Sequence, residues 1–515
     1  MFDFRKAILL LAVLVMGASM ASAQFDPLNC TLNGGAPPLL RAEGLAEEVG
    51  QAFIRCTGGN PFIPATINIR VFTPGYNVTS RLLTTAPYTG KLEAALLIDD
   101  PLPGTVNVGP NAFFADPVPG NTQAVEWRNI TFTPPGTPGA TRTLRMVNIR
   151  VNASAAGLTV TPTPVNLLVS VTGSLTLPLS SPFLVVGYIQ KSLEVSVTGA
   201  TLIQCVDPDE DVVVTFKELI PNAWRTAGNA PLSPQNDLIQ IYNTESMYWD
   251  ESPTNWPQDA GRATQATQLQ IVFSGLPSGV SIGSPSWSST GATNFTVTSS
   301  ATTITLTVNT VADVGVSETL TVNVPIIYTT SLPAIGAGTV AGSYAPTSTV
   351  ITPIATPVPR FTDTGAATAA FEILPCETRL LFPFVTSIEG WDTGIAISNT
   401  SKDPFNTDPQ QGTCTLYFYG VPSDSNQTTT VDIAAGQQLL MTLNGGNGAQ
   451  GLSPVPGFTG YVIARCNFQY AHGYAFISDL GANKFAQGYI ALVISQVQVS
   501  NSKRYSSLPM EALNQ

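Results

Sequence analysis

Strict alternation of apolar and polar residues narrows the folds open to this chain more than any other feature. Ile67-Asn68-Ile69-Arg70-Val71 shows it, as do 147–151 (VNIRV), 193–197 (LEVSV), 304–308 (ITLTV) and 320–324 (LTVNV). A period of two places one set of side chains on a core and the other in water, as in half-buried antiparallel strands. Thr and Val fill these runs, and β-branched side chains suit a pleated surface. Turn chemistry separates them, for example 134–139 (PPGTPG). Many short strands broken by Gly and Pro imply an all-β fold of tandem antiparallel β-sandwich (Ig-like) domains. The best helical stretch, 41–52, is weakened by Gly44 and Gly50 and reads as one short helix or turn.

The N-terminus reads as a cleavable export signal. Arg5 and Lys6 precede an apolar run at 7–16 (AILLLAVLVM), and Ala21-Ser22-Ala23 follows. That run is shorter than the ~20 residues of a membrane helix, and no later run in the mature chain reaches that length. The mature chain is expected to start near Gln24. At 515 residues the length suits about three domains. The expected division is a signal at 1–23, one or two β domains at 24–200, a middle sandwich at 201–345, a Pro/Thr-rich linker at 346–370, a C-terminal sandwich at 371–498 and a tail at 499–515. With 43 % hydrophobic and 11 % charged residues, the chain can bury a large core and is not a disordered tract. A net charge of −12 with few Lys and Arg argues against nucleic acid as a partner, because phosphate binding needs clustered cations.

Cys30, Cys56, Cys205, Cys376, Cys414 and Cys466 form an even set in an exported chain, which points to disulfides. No C-x-x-C pair and a single histidine oppose a zinc site. Sequence alone leaves the connectivity open. Pairing neighbours within domains gives Cys30–Cys56 and Cys414–Cys466, and leaves Cys205–Cys376 as a tie between the middle and last domains.

Four patterns invite a chemical reading. Gly279-Val280-Ser281-Ile282-Gly283 fits the nucleophile elbow of α/β-hydrolases, but no helix pattern follows it. Asp207, Asp209, Asp211 and Glu218 match the acidic positions of a calcium loop, yet Val212 stands where that loop needs glycine. Tyr242, Tyr248, Trp249 and Trp256 cluster with Glu245, Asp250 and Glu251, a composition that could hold a sugar or, with one carboxyl kept protonated, cleave one. His472 falls in a run whose even positions are Cys466, Phe468, Tyr470, Tyr474 and Phe476, and is expected to be a hydrogen-bonded structural histidine. In each case packing or a solvated strand edge is the simpler reading.

The C-terminal region carries 380–386 (LLFPFVT), 390–401 (GWDTGIAISNTS), 412–420 (GTCTLYFYG) and 466–473 (CNFQYAHG). It resembles a recurrent C-terminal module of uncharacterised secreted multi-domain β proteins of soil bacteria. Upstream, 41–44 (RAEG), 56–59 (CTGG) and 242–246 (YNTES) are similar to segments of the same kind of protein. The resemblance implies export and a multi-domain β architecture, and carries no activity. The expectation is a non-catalytic secreted or cell-surface protein without cofactor, in an adhesive, matrix or filament-forming role, with itself or an extracellular glycan or protein as partner. A periplasmic location is also compatible. The alternative is an extracellular carbohydrate-binding protein or polysaccharide-acting enzyme.

Overall fold

The computed structural model describes residues 26–494, apart from 102–104, 137–138, 205–206, 228–259, 292, 312–314, 331–332, 408 and 480–483. The fold is all-β, and the helical turns among the described residues are the short Ala153–Ala156 and Gly448–Gln450. No helix among them is long and apolar enough to cross a membrane.

Alternation becomes layers. In Ala65–Phe72 the odd positions Ala65, Ile67, Ile69 and Val71 are buried and the even ones face outward. This strand sits in a ten-stranded sheet that runs from Asn29–Gly34 through Ala52–Thr57, Thr141–Val147, Leu92–Ile98, Ala112–Val118, Asn121–Phe132, Ala65–Phe72, Thr163–Gly173 and Phe183–Gln190 to Leu39–Arg41. Both halves feed one core, with Ile54, Leu96 and Leu144 from one and Ile69, Trp127 and Leu167 from the other. Cys30 and Cys56 face each other across neighbouring strands and are bridged.

The second unit is a sandwich. One sheet holds Leu193–Thr198, Asp211–Glu218 and Thr319–Tyr328; the other holds Ala200–Ile203, Thr368–Leu374, Gly336–Ala345, Gln268–Ser274, Thr303–Thr310 and Asn294–Ser299. Val214, Phe216, Ile271, Leu306 and Val322 pack between them. The third unit packs Thr378–Thr386, Cys414–Val421 and Thr459–Cys466 against Asp392–Asn399, Gln438–Thr442, Ala471–Ser478 and Ala486–Ile490. Cys414 and Cys466 are bridged across adjacent strands at a Cα separation of 4.0 Å, so the bond flanks the core. Closing its 52-residue span is worth about 4 kcal/mol in the loop-entropy picture. Cys376 is also disulfide-bonded; its expected partner, Cys205, lies outside the described residues.

Boundaries fall elsewhere than the composition suggests. Leu193–Thr198 pairs with Asp211–Glu218, so the first unit closes near Gln190. Thr368–Leu374 pairs with Gly336–Ala345 and, in parallel, with Ala200–Ile203, so it belongs to the second unit rather than the third. The stretch 346–370 is no free linker. Val358, Arg360 and Phe361 are fully buried, and the segment bonds to Leu45 and Leu82 of the first unit and to Thr264 of the second. Its prolines made it look extended; its few large side chains decide where it lies. Of the short helix or turn expected at 41–52, the structure has the turn: the Gly44 amide bonds to the Arg41 carbonyl, Gly44 bridges Phe361, and Glu47–Glu48 pairs with Arg150–Val151.

Candidate functional site, a buried ionic seam between the first two units

Charged residues are scarce in this chain, yet Arg41, Glu43, Glu47 and Glu48 fall within eight positions. All four are buried, as are Arg81, Glu93, Arg150 and Arg360. Isolated buried charges are expensive, so they occur paired and hydrogen-bonded.

Arg41 ends a strand of the first unit and enters the second. Its guanidinium donates to Glu47 Oε1 at 2.9 Å, to the Ala223 carbonyl at 2.9 Å and to Thr267 Oγ1 at 2.9 Å. The flat cation also lies 4.9 Å from the centre of the Phe361 ring and 5.9 Å from that of Tyr344, and those two rings stack at 4.5 Å. One side chain thus touches the first unit, the second unit and the 346–370 segment, a strap bonded to both. Glu43, two residues on, accepts from Ser192 Oγ at 2.6 Å and from the Ser192 and Leu193 amides, while Ser192 Oγ lies 3.1 Å from the Tyr344 hydroxyl. Burial, and then the Glu43 charge, push the Tyr344 phenol well above its ordinary range, so it stays protonated.

A second cluster centres on Glu93. It accepts from Arg150 Nε at 3.0 Å, from Arg81 Nε at 3.3 Å and from the Gly261 amide at 3.1 Å. Arg150 also pairs with Glu48 at 3.2 Å. Arg360 donates to the carbonyls of Val350 and Thr352, which fixes the curve of the strap. Burial, with the nearby Arg150 charge, lowers the Arg360 pKa to about 10, so it remains a cation at neutral pH. Ser192 and Glu43 put a hydroxyl beside a carboxylate, but both are buried from solvent and bonded to each other, so the seam acts as a clamp.

The residues singled out from sequence are not brought together. Ser281 sits in the strand Val280–Ile282 opposite Ile327, a setting with no strand-to-helix elbow. His472 lies in the third unit, remote in sequence and on another sheet. Asp211 and Glu218 are the two ends of a straight strand with Val212 pointing into the core, and Asp207 and Asp209 are exposed. No metal-binding cluster occurs among the described residues. Tyr242, Tyr248, Trp249 and Trp256 lie outside the described residues.

His472 needs a correction. It is exposed and does not share a face with Cys466 and Phe468, because the chain turns at Tyr470, whose φ is 61°. That turn reverses the alternation: Cys466 and Phe468 face the core, whereas His472, Tyr474 and Phe476 face outward. The seam itself was the missed site. Its signal was charge density at 41–48 in a chain with 11 % charged residues.

The fold and the seam together define a multi-domain β-sandwich protein whose first two units are joined through buried charge. No protein-family model matches the chain, and no curated protein does. Among solved structures it is similar to the major pilin subunit BcpA of Bacillus cereus, at 9 % identity over 83 % of this chain and 97 % of that one, with a TM-score of 0.24. It is similar to the full-length major pilin SpaD of Corynebacterium diphtheriae, at 8 % identity over 80 % and 81 %, with a TM-score of 0.20. The adhesin FdeC of Escherichia coli gives 10 % identity over 90 % and 95 %, with a TM-score of 0.19. Likeness at this level assigns no activity and no partner.

Proposed function

We propose that the protein is a non-catalytic, exported structural or interaction protein of the cell surface or extracellular matrix. The observation that carries this is the seam. Arg41 and Glu43 bind the second unit through side-chain bonds that are wholly shielded from water, so the first two units form one stiff piece. Inter-domain contacts are ordinarily polar, modest and mobile, and a chain that only displayed independent modules would have no use for such a clamp. The basic-apolar-small start of the sequence and the disulfides support export.

Immunogold labelling of intact cells, using antibody raised against the folded third unit, tests the compartment. Gold is expected on the outer surface or in the surrounding matrix. Label confined to the cytoplasm of permeabilised cells would sink the proposal.

A further inference from the structure

Among the described residues, one sheet face of the third unit has no covering layer. Gln438–Thr442, Asp392–Asn399, Ala471–Ser478 and Ala486–Ile490 lie side by side, and their outward residues form rows across the sheet. One row reads Thr442, Gly394, Phe476, Gly488; the next reads Leu440, Ala396, Tyr474, Ile490. Tyr474 and Phe476 are each 45 % exposed. Gly394 and Ala396 floor a groove of about 440 Å³ between Leu440 and the two rings. Gly488 makes room for the tyrosine: a Cβ there would collide with the Tyr474 ring and hydroxyl, so the ring lies across that strand with its other side to solvent. Aromatic cover over an edge glycine is a known way of fixing such a ring.

We propose that this face binds a neutral polysaccharide chain, laid over Tyr474 and Phe476 along the groove. Three observations select that occupant. The groove lining contains no charged side chain, and the chain's net charge of −12 repels anionic polymers, so the fitting partner is uncharged. The faces of pyranose rings carry C–H bonds with a slight positive charge, which suits the negative face of an aromatic ring. The four strands and about five residues of each span roughly 300 Å². That is well below the ~800 Å² per partner of a standard protein interface, so a second copy of the chain is the poorer fit. The groove volume, by contrast, falls in the range of small-ligand sites, roughly 300–1,000 Å³. The inference deepens the interaction role proposed above and rests on it for the compartment in which such a polymer is met. Binding in vitro is measured independently of that compartment, so the two fail separately.

Affinity electrophoresis of the full mature chain through gels containing dextran, galactomannan or hydroxyethylcellulose, with alginate as the anionic control, is the test. At least one neutral polymer is expected to retard the protein, and alginate none. Tyr474→Ala with Phe476→Ala is expected to weaken that retardation about tenfold or more, by removing the apolar contact. Ala396→Glu, which keeps both rings but puts a charge in the groove, is expected to do the same and serves if the double variant misfolds. Failure of every neutral polymer to retard the wild type would overturn the proposal, as would retardation unchanged in both variants. Sedimentation showing a dimer that Ala396→Glu dissociates would overturn it in favour of a second copy.

Discussion

Replacing Arg41 with alanine is expected to cost about 3–5 kcal/mol and to separate the unfolding of the first unit from that of the second. The size follows from what is left behind. Glu47 accepts both from the Arg41 amide and from its guanidinium, and is fully buried. Without the guanidinium it becomes a carboxylate in an apolar setting with its countercharge gone. The Ala223 carbonyl and Thr267 Oγ1 lose a donor, and the stacked Phe361 and Tyr344 rings lose the cation beside them. The Glu47 pair lies within the first unit, whereas the Ala223, Thr267 and Tyr344 contacts reach the second, so the loss falls on the first unit and on its coupling to the second together. Calorimetry of the wild type should show residues 26–374 melting as one transition and the third unit as another; Arg41→Ala should show three. Arg41→Lys should rescue little, since a point charge cannot make the forked bonds or lie flat against the rings. A variant that melts in the same two transitions as wild type would contradict the clamp.

Stability should also fall as pH rises from about 4.5 to 8, through Glu218. This carboxyl is 3 % exposed and lies within the second unit. It accepts from the Trp224 amide at 2.8 Å and the Glu318 amide at 2.9 Å, and it has no ion pair among the described residues. Burial raises its pKa from 4.5 to about 7, with the Glu318 charge adding to the rise and the backbone donors opposing it. Glu318 is itself held by Ser289 and Thr293, and the Tyr344 phenol, which the Glu218 charge also reaches, stays protonated in this range. The folded state therefore binds a proton that the unfolded chain has lost. The contribution is complete below pH 4.5 and disappears as pH passes 7, a change of roughly 3 kcal/mol. Urea melts at pH 5 and pH 8 measure it. Glu218→Gln is expected to remove the slope while lowering stability at pH 5, because its amide group would face a backbone donor. A slope that survives in Glu218→Gln would show that the dependence arises elsewhere.

How far the sequence was legible depends on which interaction decides each feature. Alternation at 67–71 and 320–324 is a local signal, and the strands follow it. The Cys30–Cys56 and Cys414–Cys466 bridges were within reach because each pair lies on adjacent antiparallel strands. His472 was misplaced because a single left-handed residue, Tyr470, flips the face of everything after it. The stretch 346–370 looked like a spacer because its Pro and Thr content speaks of backbone conformation, whereas Phe361 and Arg360 are fixed by partners far away in sequence. The seam shares that difficulty: Arg41 meets groups 182 and 226 residues away, and no local pattern contains such information. Its only trace is charge where charge is rare.

The most direct measurement is the distance between the first two units in solution. With spin labels on the exposed Asn121 of the first unit and Ser300 of the second, pulsed dipolar spectroscopy should give one narrow distance distribution in the wild type, unchanged by salt because the seam is shielded from water. Arg41→Ala should broaden it. A broad wild-type distribution, as from two units on a flexible tether, would contradict the claim that buried charge makes them one body.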